Sequence, residues 1–166
     1  MKDYGKDLTS PTKCIIYKDF ACHSPMNILL PAMDSDKVRD LIYRYFEIAK
    51  TKEIEKLEDF FDPRFTKYGD SPPYDRRSLE RALMLEQLHF ASLSDYDFKI
   101  EDIQIDILDS SSAVATFTLE SAGMLVDDYS FRGTTVNVRS RATIVLQKDK
   151  KGQWKMFHQH LSKYTS

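Results

Sequence analysis

The sequence has no apolar run approaching the roughly 18 residues of a transmembrane helix. Its opening stretch, Met1 to Tyr17, is too polar to hold the apolar core of a secretory signal. Neither a membrane partner nor export is expected, and the cytoplasm is the expected compartment. There is no surplus of positive charge either, since 24 Lys and Arg face 26 Asp and Glu for a net of −2. That balance removes the electrostatic footprint of a nucleic-acid binder, so no nucleic acid is expected as partner. Cysteine is scarce. Cys14 and Cys22, with His23 beside the second, lack the further ligands of a zinc site and read as reduced thiols. The six carboxylates from Asp95 to Asp109 follow no metal-ligand spacing and read as solvated strand edges, so neither metal nor cofactor is expected. Repeats and low-complexity segments are absent.

What remains is a globular composition, 42% hydrophobic and 30% charged over 166 residues, the size of one ordinary domain. A domain this long buries roughly 70% of its unfolded surface and requires no staple. Residues 1–33 carry Pro11, Pro25 and Pro31, show no sustained periodicity and read as an extension. Ile15, Ile16, Tyr17, Phe20 and Ile28 to Leu30 are too apolar for a free tail. The domain proper is expected over residues 34–166.

Asp34 or Ser35 can cap a first helix whose apolar residues fall at Val38, Leu41, Ile42, Tyr45, Ile48 and Ala49, one helical stripe. Thr51 can cap a short second helix with Leu57, Phe60 and Phe61 inward, stopped by Asp62-Pro63. Arg64 to Tyr68 reads as extended, Gly69 to Pro73 as a turn, and Asp75 as the cap of a third helix reaching about Ala91. Strands follow. Ile103, Ile105 and Ile107 alternate with polar residues, and further strands are expected at Ala113–Glu120, Thr134–Lys148 and Trp154–Leu161, with Gly123 to Gly133 as a longer connection. Helices followed by sheet define an α+β chain.

The last hairpin reads Arg141-Ala142-Thr143-Ile144-Val145-Leu146, a charged Gly turn, then Trp154-Lys155-Met156-Phe157-His158-Gln159-His160-Leu161-Ser162. It resembles the C-terminal signature of SnoaL-like proteins, members of the nuclear transport factor 2-like superfamily, and the order of elements matches from residue 34 to 163. The resemblance implies a cystatin-like cone: three helices in the concave face of a strongly curved antiparallel sheet, with a pocket inside and a homodimer across the outer face. Such cones host isomerases, cyclases and dehydratases as well as non-catalytic modules, so the pocket decides function.

Alternation along the long strand puts Val136, Val138, Ser140, Ala142, Ile144 and Leu146 on one face, nearly all apolar and hence inward. By similarity to the kinase association domain of the superfamily, Phe157, Gln159 and Leu161 are placed inside on the last strand. Trp154, Met156, His158 and His160 are placed outside, where Arg141 joins them under an isologous dimer. The two histidines read as interface hydrogen-bonding groups, with pocket or metal roles as the alternatives. By similarity to ketosteroid isomerase, Tyr45 falls at the pocket tyrosine of the first helix and Asp70 near the catalytic base. Tyr45 could equally be a core aromatic, and Asp70 a turn-stabilising residue. The isomerase's second Asp would fall near Ala142 or Ile144, neither of which can donate a proton. The expectation is a pocket for a small, largely apolar ligand, with Asp70 as base, Tyr45 and Tyr68 as donors to a developing oxyanion, Gln159 orienting, and Phe61 and Phe157 as walls. The alternative is a dimeric binding module without catalysis.

Overall fold

The structure, a computed structural model, describes residues 26–70, 72, 74–126 and 133–164. Helix α1 (Met26–Thr51) buries Val38, Ile42, Tyr45, Phe46, Ile48 and Ala49 along one face, the three- and four-residue spacing of an inward stripe. It begins at Met26 rather than at Asp34 or Ser35. Asp34 therefore caps nothing: its buried carboxylate accepts hydrogen bonds from Lys148 Nζ at 2.7 Å and Trp154 Nε1 at 3.4 Å. A tertiary partner has taken the oxygen that a local cap would have used. Cys14, Cys22 and His23 lie outside the described residues.

Lys52 closes α1 in a left-handed conformation, φ 62°, with its N–H on Ile48 O at 2.8 Å. Its ammonium donates to Phe90 O at 2.7 Å and to Leu93 O, carbonyls at the end of the next α-helix, where a cation also suits the helix dipole. A 3₁₀ helix (Ile54–Phe60) buries Leu57 and Phe60 and leads straight into β1 (Phe61–Tyr68). Phe61 thus opens a strand instead of ending a helix. After β2 (Arg77–Ser78), α2 (Leu79–Ser92) turns Ala82, Glu86 and Phe90 inward. Asp75 pairs with Arg81 at 2.6 Å, and Ser78 holds the N-cap position that Asp75 was expected to fill.

Strands β3 (Leu93–Ile107), β4 (Ser112–Val126), β5 (Gly133–Lys148) and β6 (Trp154–Lys163) complete one six-stranded sheet of order β2-β1-β6-β5-β4-β3. All neighbours are antiparallel except β1 and β6. The middle of the expected Gly123–Gly133 connection, residues 127–132, lies outside the described residues, and strand pairing continues to Val126↔Gly133. β3 starts ten residues before Ile103 because α2 runs into it without a turn. Two irregularities also hide its alternation: Asp95 and Asp102 adopt φ 50° and 54° where the register against β4 shifts. Aspartate tolerates this left-handed region, and each bulge bends the strand and changes its phase. Tyr96, Phe98 and Ile100 before the second bulge and Ile103, Ile105 and Ile107 after it thereby all pack on one core.

The alternation expected for β5 matches the burial of Ser140, Ala142, Ile144 and Leu146 and the exposure of Asn137, Arg139, Arg141 and Thr143. On β6 it holds only in part. Gln159 and Leu161 point inward, but so do Trp154 and Met156, which were expected outside, and Phe157 does not. The reason is a bulge: Leu146 pairs with Met156 and Val145 with His158, so Phe157 is an extra residue that reverses the phase. The result is a curved sheet holding the helices in its inner face, an α+β architecture whose core runs from Trp154 to Phe90.

Candidate functional site

A cavity of about 430 Å³ opens between α2, the turn after β1 and the ends of β4, β5 and β6 farthest from Trp154. That is within the roughly 300–1,000 Å³ of small-molecule sites. Its walls are built by alternation. In β1, Phe65 and Lys67 point inward while Thr66 and Tyr68 point outward, so the strand delivers one aromatic to the core and one cation to the cavity. In α2, Glu86 follows Ala82 by four residues and precedes Phe90 by four, placing a carboxylate on the buried stripe. Leu119, Val136, Val138 and Leu161 supply an apolar wall from the sheet.

At the inner end the polar groups are tightly organised. Glu86 accepts from Lys67 Nζ on Oε1 and from the Tyr45 hydroxyl on Oε2 at 2.8 Å. Lys67 is 3% exposed and Glu86 8%, so this is a buried ion pair carrying a phenol. Burial raises the Glu86 carboxyl, but the Lys67 charge and hydrogen bond, with the Tyr45 bond, outweigh it and hold the group below its ordinary value as a carboxylate. The same burial, with the Glu86 charge, pushes the Tyr45 phenol well above its usual range, so it stays protonated. Gln159 lies beside the Tyr45 hydroxyl, whose phenolate form its amide favours weakly. It is fully buried and does not line the cavity, and apart from this weak contact with Tyr45 neither its Oε1 nor its Nε2 has a hydrogen-bond partner among the described residues. Across the β1·β6 register it stands opposite Lys67.

Nearer the mouth, Asp70 lines the cavity half-buried and accepts a hydrogen bond from Ser140 Oγ at 2.6 Å. The turn carrying it passes tightly over the Arg77 guanidinium: a Cβ on Gly69 would stand 2.9 Å from Nη1, so a larger residue there would require that side chain to shift. His89, on α2, faces the same space. Desolvation lowers its pKa, partly opposed by the charges of Glu86 and Asp70, so its imidazole is neutral at pH 7.

Asp70 and Tyr45, placed on separate elements by sequence, therefore meet around one cavity. The Tyr45 proton, however, is committed to Glu86. Other residues fall elsewhere. Tyr68, expected in the pocket, is on the outer sheet face, its ring centroid 6.0 Å from His158 and 5.9 Å from His160. Phe61 packs in the core at 4.3 Å from Phe65, without lining the cavity. Phe157 lies under the Arg64 guanidinium at 5.0 Å, turned out by the β6 bulge. Trp154, expected at an outer interface, is 5% exposed and bonded to Asp34. Arg141, His158 and His160 are outside as expected: Arg141 covers Tyr164, and His158 Nδ1 is 2.8 Å from Thr66 Oγ1. Burial, His160 and Arg76 lower the pKa of His158.

Sequence reasoning missed Lys67, Glu86, Arg77 and His89. For Lys67 and Glu86 a signal existed, since each is a charged residue in phase with the apolar residues of its element. Among the described residues no group of three or more His, Cys, Asp or Glu could hold a metal ion, and no helix is long and apolar enough to cross a membrane.

A curved sheet around helices, with a polar-floored cavity at its open end, defines the class of cystatin-like, nuclear transport factor 2-like cones. Within it the chain belongs to the SnoaL-like domain family, whose model matches residues 38–166. No curated protein matches it in sequence. Solved structures share the fold. A protein assigned as a dehydratase of the nuclear transport factor 2-like family from Streptomyces avermitilis is 20% identical over 82% of this chain and 99% of its own, with a TM-score of 0.68. One assigned as an aromatic ring hydroxylase from Novosphingobium aromaticivorans is 16% identical over 82% and 92%, TM-score 0.69. A calcium/calmodulin-dependent protein kinase II association domain assigned in Xanthomonas campestris is 21% identical over 78% and 86%, TM-score 0.62.

Proposed function

We propose that this SnoaL-like protein binds a small, largely apolar molecule in the cavity and performs general acid/base chemistry on it, of the isomerase, cyclase or dehydratase kind, with Asp70 as base. The observation that carries this reading is a carboxylate facing a cavity of about 430 Å³ that the core aromatics do not fill. Ser140 fixes the Asp70 carboxylate from the sheet, which leaves the other oxygen, Oδ1, for a substrate. In the simplest step Asp70 takes a proton from a carbon next to a carbonyl. The C–H electron pair becomes a C=C bond while the carbonyl π pair moves to oxygen, and return of the proton to the same or another carbon closes the cycle without a co-reactant. Tyr45 acts in this reading by holding Glu86, and His89 stands at the mouth as a neutral second proton carrier.

The test is exchange of the α-protons of 2-tetralone in D₂O, followed by NMR. The wild type is expected to exceed buffer, and Asp70→Asn to lose roughly 10²-fold or more of that rate. A wild type no faster than buffer, or an unaffected Asp70→Asn, overturns the catalytic reading.

A second reading, a non-catalytic homodimeric module, is favoured by the outer sheet face, where Tyr68, Arg141, His158 and His160 lie together. The likeness to an association domain points the same way. Dimerisation by itself is compatible with the catalytic reading, because the cavity and that face lie on opposite sides of the sheet. Sedimentation as a monomer at micromolar concentration removes the dimer.

A further inference from the structure

We infer that Lys67 is the anion-stabilising group of the cavity, and that the ligand class is a small apolar molecule whose buried end carries an oxygen able to take up negative charge, a ketone that enolises or a phenol. The inference rests on the reading of the cavity as a ligand site and adds to it a residue and a chemistry.

Three observations converge. The first is the ammonium itself. Lys67 is 3% exposed and lines the cavity, and the bond to Glu86 uses one of its three N–H donors. Among the described residues no second acceptor appears for its other N–H donors, a buried ammonium is costly unless they meet one, and the cavity is the space they adjoin. The second is that Glu86 has both oxygens occupied, by Lys67 and Tyr45, so it holds the ammonium in place and is not itself free to act as a base. The third is the charge of the walls. Lys67, Arg77 and Lys163 line the cavity against Asp70 and Glu86, an excess of one cation, while His89 is neutral. A developing oxyanion is favoured there, and the Lys67 N–H donors are oriented before it forms.

Gln159 adds a fourth indication. It does not line the cavity, but its buried amide stands behind the wall, across the strand register from Lys67 and beside Tyr45, so the surroundings of the ammonium are polar on that side too. A purely hydrocarbon ligand would leave the Lys67 ammonium facing no acceptor in the cavity. A neutral molecule with one acidic oxygen supplies one.

The probe is 2-naphthol, an apolar molecule whose neutral and ionised forms differ in absorption and fluorescence. Titrated with excess protein across pH, the bound probe is expected to ionise at least one pH unit below the free probe. Lys67→Met is expected to abolish that shift. Glu86→Gln, which leaves the ammonium unpaired, should enlarge it. Because Lys67→Met strands a buried carboxylate, Lys67→Met/Glu86→Gln serves as the folded control and should bind the neutral probe without a shift. Saturable binding with no shift in the wild type, or with a shift that survives in the double variant, overturns the role of Lys67 and leaves the cavity as a ligand site. No saturable binding of 2-naphthol in either ionisation state, together with no exchange of 2-tetralone, overturns both.

Discussion

The two ends of the cone use buried charge in opposite ways. At the closed end Asp34 accepts from Lys148 and Trp154, joining α1 to the β5–β6 hairpin around Met156, Leu146 and Ile42, all 0% exposed. At the open end Lys67 and Glu86 are as deeply buried, but their neighbour is a cavity and the orphaned amide of Gln159. A charge that ties elements together has its capacity matched within the protein, whereas the open-end cluster borders a cavity and an amide whose donor and acceptor are both unmatched among the described residues. That difference separates a structural ion pair from a candidate site.

Breaking each end tests the contrast, beginning with the largest effect. Lys67→Met should destabilise by about 3–5 kcal/mol, because Glu86 is left charged without a partner, and Lys67→Met/Glu86→Gln should recover much of the loss. Urea unfolding of the single and double variants measures this; equal losses would show that the pair has little charge coupling. Tyr45→Phe removes one hydrogen bond to a buried carboxylate and should cost roughly 1.5–3 kcal/mol by the same measurement.

At the closed end Asp34→Asn should cost about 1–2 kcal/mol at neutral pH, the loss of one charge-assisted bond. This effect should depend on pH. The hydrogen bond from Lys148 is the main cause that lowers the Asp34 carboxyl in the fold from 3.8, so folded Asp34 binds fewer protons than unfolded Asp34. Its contribution is complete above the unfolded value and is lost as pH falls through the lowered folded value. The gap between wild type and Asp34→Asn should therefore close on acidification, and a gap constant to pH 2 would contradict the assignment. Smallest is Arg141→Ala, on the outer face. Stability of the isolated fold should change by no more than about 0.5 kcal/mol. If the face is a dimer interface, sedimentation should show weakened association.

The same contrast explains what could be read from residues alone. The closed end was legible in part: the stripe from Val38 to Ala49 and the alternation of β5 are periodic patterns, and periodicity survives folding. The pattern failed where one residue was added. Phe157, Asp95 and Asp102 sit at bulges, and each reverses the phase of everything beyond it, which is how Trp154 and Phe157 exchanged sides. For the site, Asp70 was accessible through resemblance, and Ser140 beside it was not, because 70 residues separate them. Lys67 and Glu86 announced themselves as charges on apolar stripes, but a stripe does not name its partner.

The chain's own periodicity determined an α+β architecture and the inward face of its long strand, and the residues of the last hairpin carried the resemblance to SnoaL-like proteins. Tertiary structure decided the rest: that Asp34 binds Lys148 and Trp154 instead of capping α1, that Tyr45 donates its hydrogen bond to Glu86, and that Lys67 faces a cavity. The physical reason is range. Helix and strand patterns are local consequences of backbone geometry, while the partner of a buried charge is chosen by whichever distant group the fold brings within hydrogen-bonding distance once water has been removed.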